Sequence, residues 1–248
     1  YLNALARKYG VQTEINNVLS MPLGASEATL EEMTMLYDGL VTGHHWTFPG
    51  EMQGQGLFAS NQVTEPEAST LLIAEIRDVD DQVLYKAQPT REDVADPASG
   101  EMTADIMANV VRWGTGRRAS KALAEVTGFV PLGGKTGTTN DYRNSAFIGF
   151  APRWSERGGY VVDEGLIVGS YVGYDDNRKM SVGRTRIAGS SGALPAWIET
   201  LKGAHEAGFL GESSGELPES GWPLLHSHRV RELAVDSNGL EVDASITA

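Results

Sequence analysis

No cysteine occurs in the 248 residues of this chain. That removes disulfides, thiolate nucleophiles and cysteine–zinc sites together. It is compatible with an oxidising compartment without establishing one. Long apolar runs are missing too: none approaches the ~18 residues of a membrane span. No basic, apolar and small-residue segment opens the chain, and it starts at Tyr1, which reads as a processed or cut piece. Basic residues are scarce, 20 Lys and Arg against 33 Asp and Glu, for a net charge of −13. Duplex-binding proteins carry a basic face, so no nucleic-acid partner is expected. The remaining composition, 41% hydrophobic and 21% charged, suits one soluble domain with an appendage and excludes disordered and collagen-like chains.

The few bases are concentrated. Residues 1–116 hold six against seventeen acids, whereas residues 117–186 hold eleven against seven. A basic centre between acidic flanks can attract a small anion, although arginines decorating a solvated sheet edge would give the same pattern.

Apolar periodicity predicts a helix through Leu2, Leu5, Ala6 and Tyr9, stopped by Gly10. A second helix opens on the capping box Thr29–Glu32, carries Leu30, Met33, Leu36, Leu40 and Val41, and ends at Gly43. Residues 44–70 read as loop, 71–76 as a strand turning at Asp80-Asp81 into Val83-Leu84-Tyr85, and 87–101 as loop again. A third helix is expected over 102–113 with Ile106, Met107, Val110 and Val111 inward, broken by Gly114-Thr115-Gly116. Three strands follow, at 133–139, 145–151 and 165–174, adjacent and antiparallel, with a short loop around Pro152 and Gly158-Gly159 between the last two. Ser190 or Ser191 then caps a helix covering the sheet through Leu194, Trp197, Ile198 and Leu201. The order predicts an α+β fold: an antiparallel sheet flanked by helices. Residues 1–210 read as one domain. Residues 211–248 read as an acidic linker with a small hairpin at Asn238-Gly239.

The stretch Gly133-Gly134-Lys135-Thr136-Gly137-Thr138-Thr139 admits two mechanisms. A phosphate loop needs four residues between its glycines and a helix after the Lys-Thr. Here five residues separate Gly128 from Gly134, and β-forming sequence follows, so that reading fails. The alternative is an edge strand beside a catalytic serine. Lys135 supplies a cation for a hydroxyl network and a substrate carboxylate, and Thr136 and Thr138 supply hydroxyl donors. Gly137 lets a peptide lie flat. The Thr138 N–H can face an oxyanion. A plain Lys-Thr-Gly turn is the bland alternative. His44-His45 and His226-Ser227-His228 read as surface loop, not metal sites, and Glu31-Glu32 and Asp175-Asp176 as a helix start and a strand end.

Gly134 to Arg143, followed by Ala146-Phe147-Ile148-Gly149-Phe150-Ala151-Pro152, resembles the class A penicillin-binding proteins around the third signature motif of their transpeptidase domain. Leu23 to Glu27 with its capped helix, Gly114 to Ala119, Val172 to Asp176 and Ala193 to Trp197 are similar to family segments in the same order, so the resemblance spans about 1–205. It implies a β-lactamase/transpeptidase-like fold, incomplete at its N-terminal side, and a serine-type D,D-transpeptidase that cross-links stem peptides in peptidoglycan synthesis. It implies D-Ala-D-Ala stem peptides and β-lactams as ligands, no cofactor and an extracytoplasmic location. The catalytic positions it carries over are Lys135 and Thr138; substrate contact carries over to Lys135, Thr136, Gly137 and Thr138.

Two family motifs are missing. No Ser stands three residues before any of the six lysines, so there is no Ser-x-x-Lys, and none stands two before any of the nine asparagines, so there is no Ser-x-Asn. In the family's order both lie upstream of the matched part, with a glycan-polymerising domain and membrane anchor further upstream. The chain is therefore expected to be inactive alone and to need the front of the same domain. A catalytically dead peptide- or partner-binding module and a serine β-lactamase-like hydrolase remain as alternatives.

Overall fold

The computed structural model describes residues 1–21, 24, 26–48, 50–52, 71–127, 130–155, 159–210, 224, 227–231 and 233–242. Its centre is an antiparallel sheet in the order β6-β7-β8, from β6 (Gly133–Thr138), β7 (Asn144–Ser155) and β8 (Gly159–Gly173). The pairing runs from Gly133 opposite Phe150 to Thr138 opposite Ser145, and from Asn144 opposite Gly173 through β8. The sequence expectation for these strands holds, and β7 and β8 run longer. Pro152 is absorbed by a register shift between Ala151 and Arg153, which spares the ladder the N–H that proline lacks. Residues 156–158 of the expected loop lie outside the described part.

Helices cover both faces. Helix α5 (Ala193–Glu206) packs on β7 and β8, with α4 (Arg117–Thr127) behind it. As its i, i+3, i+4, i+7 spacing requires, Leu194, Trp197, Ile198 and Leu201 are all buried. The Trp197 ring stands edge-on to Phe147 with centroids 4.9 Å apart, and its indole N–H donates to the Val168 carbonyl at 3.0 Å. The opposite face buries Phe150 against Val41 of α2 (Leu30–Thr42) and Ala104 and Met107 of α3 (Pro97–Arg112).

Space for this packing comes from glycines in β6. A Cβ on Gly133 would run into the Phe150 ring, and one on Gly134 would lie 2.7 Å from the Phe147 ring. These two rings of β7 each fold over a side-chain-free position of the neighbouring strand.

The N-terminal helices follow the sequence signals. α1 (Leu2–Lys8) ends before Gly10 at φ +85. α2 carries both halves of its capping box and closes on Gly43 at φ +81. Burial disfavours the Glu32 charge. The Thr13 hydroxyl and the backbone N–H groups of Thr29, Thr13 and Gln12 outweigh it and hold the carboxyl at about 2.

Several expectations are corrected. Residues 44–47 and 50–52 are not loop: β1 (His44–Thr47) pairs with β5 (Thr90–Asp93), and β2 (Gly50–Met52) joins β4 (Val83–Ala87) and β3 (Glu75–Arg77). Such pairings join segments distant in sequence, which local pattern does not report. Residues 53–70 lie outside the described part. Leu71, Leu72 and Ile73 precede the strand and are exposed. α3 begins at Pro97, not near 102, because Asp96 accepts from the Ala98 N–H at 3.0 Å and proline suits the first helical position. Its buried side runs through Gly100, Ala104, Met107, Ala108 and Val111, leaving Ile106 69% exposed. Small residues win there because α2 comes close: a Cβ on Gly100 would lie 2.9 Å from the Val41 carbonyl. α4 packs a short stripe, Ala119, Ala122 and Leu123, into the core, and the sequence reading does not pick it out. The cap of α5 is neither Ser190 nor Ser191 but comes from the sheet, where Ser145 Oγ accepts from the Ala193 N–H at 2.9 Å.

Of the tail, the described residues show one antiparallel bridge, Val235 to Glu241, around a turn held by Asp236. Residues 211–223 and 243–248 lie outside them.

Candidate functional site

Strand β6 pairs with β7 along one side only, so its other edge is unpaired among the described residues. Its glycines and β-branched threonines disfavour helix and suit a strand. Alternation sends Lys135 and Gly137 to one face and Thr136 and Thr138 to the other.

Lys135 is exposed, and its Nζ donates to the Thr136 carbonyl at 2.9 Å. Thr136 Oγ1 lies 2.9 Å from Thr115 Oγ1, which arrives from the turn between α3 and α4. Thr138 Oγ1 accepts from the Gly189 N–H at 2.9 Å. A Cβ on Gly137 would meet nothing closer than Ala146 Cβ at 3.4 Å, so this part of the strand is open. The four residues singled out from sequence thus sit together on one accessible strand. Lys135 and the two threonines approach its rim from opposite faces.

The sequence reading passes over Thr115 and Gly189, which hold the two threonine hydroxyls. Gly114-Thr115-Gly116 is visible only as a helix breaker, and no local signal ties Gly189 to Thr138, 51 positions away.

The turn after β6 is strained. Asp141 and Tyr142 both take left-handed φ, +62 and +55, uncommon for any side chain and an outlier for a bulky one. The Met180 N–H donates to the Tyr142 carbonyl at 2.7 Å, and the Ile187 N–H to the Met180 carbonyl at 3.0 Å. These bonds tie the turn to the hairpin of β9 (Ser181–Val182) and β10 (Thr185–Arg186). Tyr142 and Arg143 lie in this turn, and Asn144 opens β7.

Two concave regions lie elsewhere. One, of about 570 Å³, lies between α1 and the β1–β5 ribbon and includes Arg7, Lys8, His45 and Glu92. The other, of about 220 Å³, includes His44, Glu101 and Asp163. Neither is lined by a β6 residue, and the strand edge, with the side chains of Lys135, Thr136 and Thr138 and the open Gly137, is the stronger candidate for peptide chemistry.

His44 corrects a second expectation, for it is buried in β1 instead of lying on a surface loop. Its Nδ1 stands 2.8 Å from Asp93 and its Nε2 3.6 Å from Asp163, while Arg91 reaches Asp163 at 3.4 Å. On α2, burial first and the Asp163 charge second push the Asp38 carboxyl up to about 6. Among the described residues no group of three or more His, Asp or Glu is placed to hold a metal ion. His226 and Gly128 lie outside them, and a strand, not a helix, follows Lys135, which removes the phosphate loop.

Penicillin-binding protein 1A of Rickettsia bellii is 31% identical over 208 residues, covering 82% of this chain and 23% of its own length. Penicillin-binding protein 1A of Neisseria meningitidis is 26% identical over 255 residues, covering 99% of this chain and 26% of its own length. The chain thus spans about a quarter of the length of these relatives. No family model matches it. Among solved structures, the D,D-transpeptidase domain of a peptidoglycan glycosyltransferase from Eggerthella lenta shares the fold, with a TM-score of 0.50 at 17% identity over 84% of this chain and 48% of that one. The ordered sequence match, the α+β sheet with its Lys-Thr-Gly-Thr edge and the shared fold agree, and the chain belongs to the class A penicillin-binding proteins as part of their transpeptidase domain.

Proposed function

We propose that β6 is the substrate-binding strand of a D,D-transpeptidase, holding the D-Ala-D-Ala end of a peptidoglycan stem peptide, or a β-lactam in its place. The observation that carries this reading is the open edge of a strand, unpaired among the described residues, that brings Lys135, Thr136, Gly137 and Thr138 to one rim. An extended peptide lying on that edge gains main-chain hydrogen bonds, and Gly137 offers no obstacle. Lys135 supplies the cation for the terminal carboxylate and for the proton network of the attacking serine. The threonine hydroxyls, held by Thr115 and Gly189, complete the carboxylate contact, and the Thr138 N–H faces the developing oxyanion.

Acyl transfer needs an activated hydroxyl next to its base, and this sequence contains neither Ser-x-x-Lys nor Ser-x-Asn. By itself the chain binds without turning over, and the serine comes from the preceding part of a full-length protein on the outer side of the membrane. Those missing motifs also favour a second reading, a peptide-binding module of the same fold without catalysis. No helix among the described residues is long and apolar enough to cross a membrane, so attachment to one would rest on other segments.

Acylation by a labelled penicillin, followed by intact mass, separates the readings. This chain alone should gain no adduct. In the full-length protein Lys135→Ala should slow acylation roughly ten- to a hundred-fold, the worth of one charge-assisted hydrogen bond at a partly desolvated anion site. Acylation of Lys135→Ala at the wild-type rate would remove this strand from the active site. Full-length protein that is never acylated would favour the binding module.

A further inference from the structure

One short segment of the tail is seated against the body of the fold. Leu224 is only 5% exposed and joins the cluster of Val41, Ala104, Met107, Phe150 and Tyr160. It forms a parallel bridge with Tyr160 at the start of β8. The outer edge of β8 carries no regular strand among the described residues, so the tail stands where an added strand would pair. Three positions on, Ser227 grips α3. Its N–H and its hydroxyl donate to the two oxygens of the Glu101 carboxylate at 2.9 and 3.0 Å. Two positions further, the Arg229 guanidinium donates to Asp96, the N-cap of α3, at 3.1 Å.

The charges on the two sides are complementary. Residues 211–248 hold seven acids and only two bases, Arg229 and Arg231, and residues 224–231 hold both bases and no acid. Arg231 pairs with Glu241 inside the tail at 3.9 Å, and Arg229 meets the body. The surface it meets presents Asp96 and Glu101, with Asp163 on the same concavity. In a chain of net charge −13, an acidic tail is thereby brought to an acidic surface at its one basic stretch.

The seat is also larger than its occupant. A cavity of about 220 Å³ remains beside Leu224 and Ser227, bordered by Pro97, Glu101, His44 and Asp163. A side chain facing open volume forgoes part of its dispersion contacts. The Arg229 pair is exposed on both partners, where water competes for it. One apolar anchor and a few half-exposed polar contacts make a segment that opens more easily than the core beneath it.

We propose that the groove between the first turns of α3 and the start of β8 is a peptide-docking site, which this chain fills with its own segment Leu224–Arg229. The contacts define the ligand class: a short peptide with an apolar anchor, a hydroxyl donor three positions later and an arginine five positions later. A tethered segment competes at high effective concentration, so a second peptide of this pattern enters only when the tail is released. None of these contacts involves β6, and the docking site stands or falls independently of that strand.

The first measurement is hydrogen exchange in the full-length protein, read by mass spectrometry over residues 224–231. The slowest amides there should exchange at least about ten-fold more slowly than in a free peptide of the same sequence. Glu101→Ala removes both acceptors of Ser227 and should speed them about ten-fold. Arg229→Ala, which breaks an exposed pair, should speed them only a few-fold. Both should leave α5 as protected as before. The second measurement is the fluorescence anisotropy of a labelled synthetic peptide of residues 222–231. It should bind the Leu224→Asp variant at least about ten-fold more tightly than wild type, whose own tail occupies the seat. Aspartate in place of leucine at the anchor position of the peptide should abolish that binding. Wild-type amides that exchange as fast as the free peptide overturn the proposal. So does a Leu224→Asp variant that keeps its thermal unfolding and binds the peptide no better than wild type. Should Leu224→Asp fail to fold, the exchange comparison decides alone. Protection that rises with protein concentration would give the seat to the tail of a second copy and overturn filling by the chain's own segment.

Discussion

Asp38 offers a quantitative test of the packing between α2 and β8. Its carboxyl is pushed up to about 6 by burial and by the neighbouring Asp163 charge, against an ordinary 3.8. The folded state therefore binds this proton more tightly than the unfolded chain. The stabilisation it brings is fully present below pH 3.8, declines as pH rises towards 6, and is gone above that. At ~1.36 kcal/mol per pH unit the gap amounts to about 3 kcal/mol, an upper figure for a partly buried group. Asp38→Asn keeps the shape and removes the charge. At pH 8 it should stabilise the protein by about 1–3 kcal/mol, and at pH 4 it should change nothing, because wild type is then also neutral there. Urea unfolding followed by circular dichroism at pH 4, 6 and 8 measures both. The other charged groups nearby, His44, Asp93, Asp163 and Arg91, are common to both proteins. An Asp38→Asn variant no more stable than wild type at pH 8, or a difference of equal size at both ends, would refute the desolvation argument.

Glu32 should behave with the opposite sign. Its carboxyl is held near 2 against an ordinary 4.5, so Glu32→Gln should cost roughly 2–3 kcal/mol at pH 7, and the cost should fade as pH drops from 4.5 to 2. Ser145→Ala strips the Ala193 N–H of its acceptor in a fully buried place. It should cost about 1–3 kcal/mol in chemical unfolding, and Ser145→Thr, which keeps the hydroxyl, should differ from it. Trp197→Ala should cost about 3–5 kcal/mol by the same measurement, with Trp197→Phe costing less because a ring still meets Phe147.

The parts of this fold that are legible in sequence are those where a short-range signal coincides with the long-range packing. The α2 capping box, the stop at Gly43 and the stripe from Leu194 to Leu201 each occupy one element and point to its buried side. The strand β6 is readable for the same reason, because its six residues contain both the propensity and the chemistry. What stays hidden depends on partners far away in sequence. The β1–β5 ribbon joins residues 44–47 to 90–93, and the cap of α5 comes from Ser145, 48 positions upstream. Ile106 misleads because apolarity alone does not choose a helix face when α2 approaches closely enough to demand glycine and alanine.

The two glycines under the rings of Phe147 and Phe150 also govern where β6 can stand along its partner. A slip by one residue in either direction would drive Leu132 or Lys135 into volume those rings already fill. Strand pairing by itself tolerates such slips whenever both registers satisfy the backbone. Here the missing side chains act as a key that fits one register. Lys135 is delivered opposite Ile148, and Thr138 opposite Ser145, before any ligand is present to choose their positions.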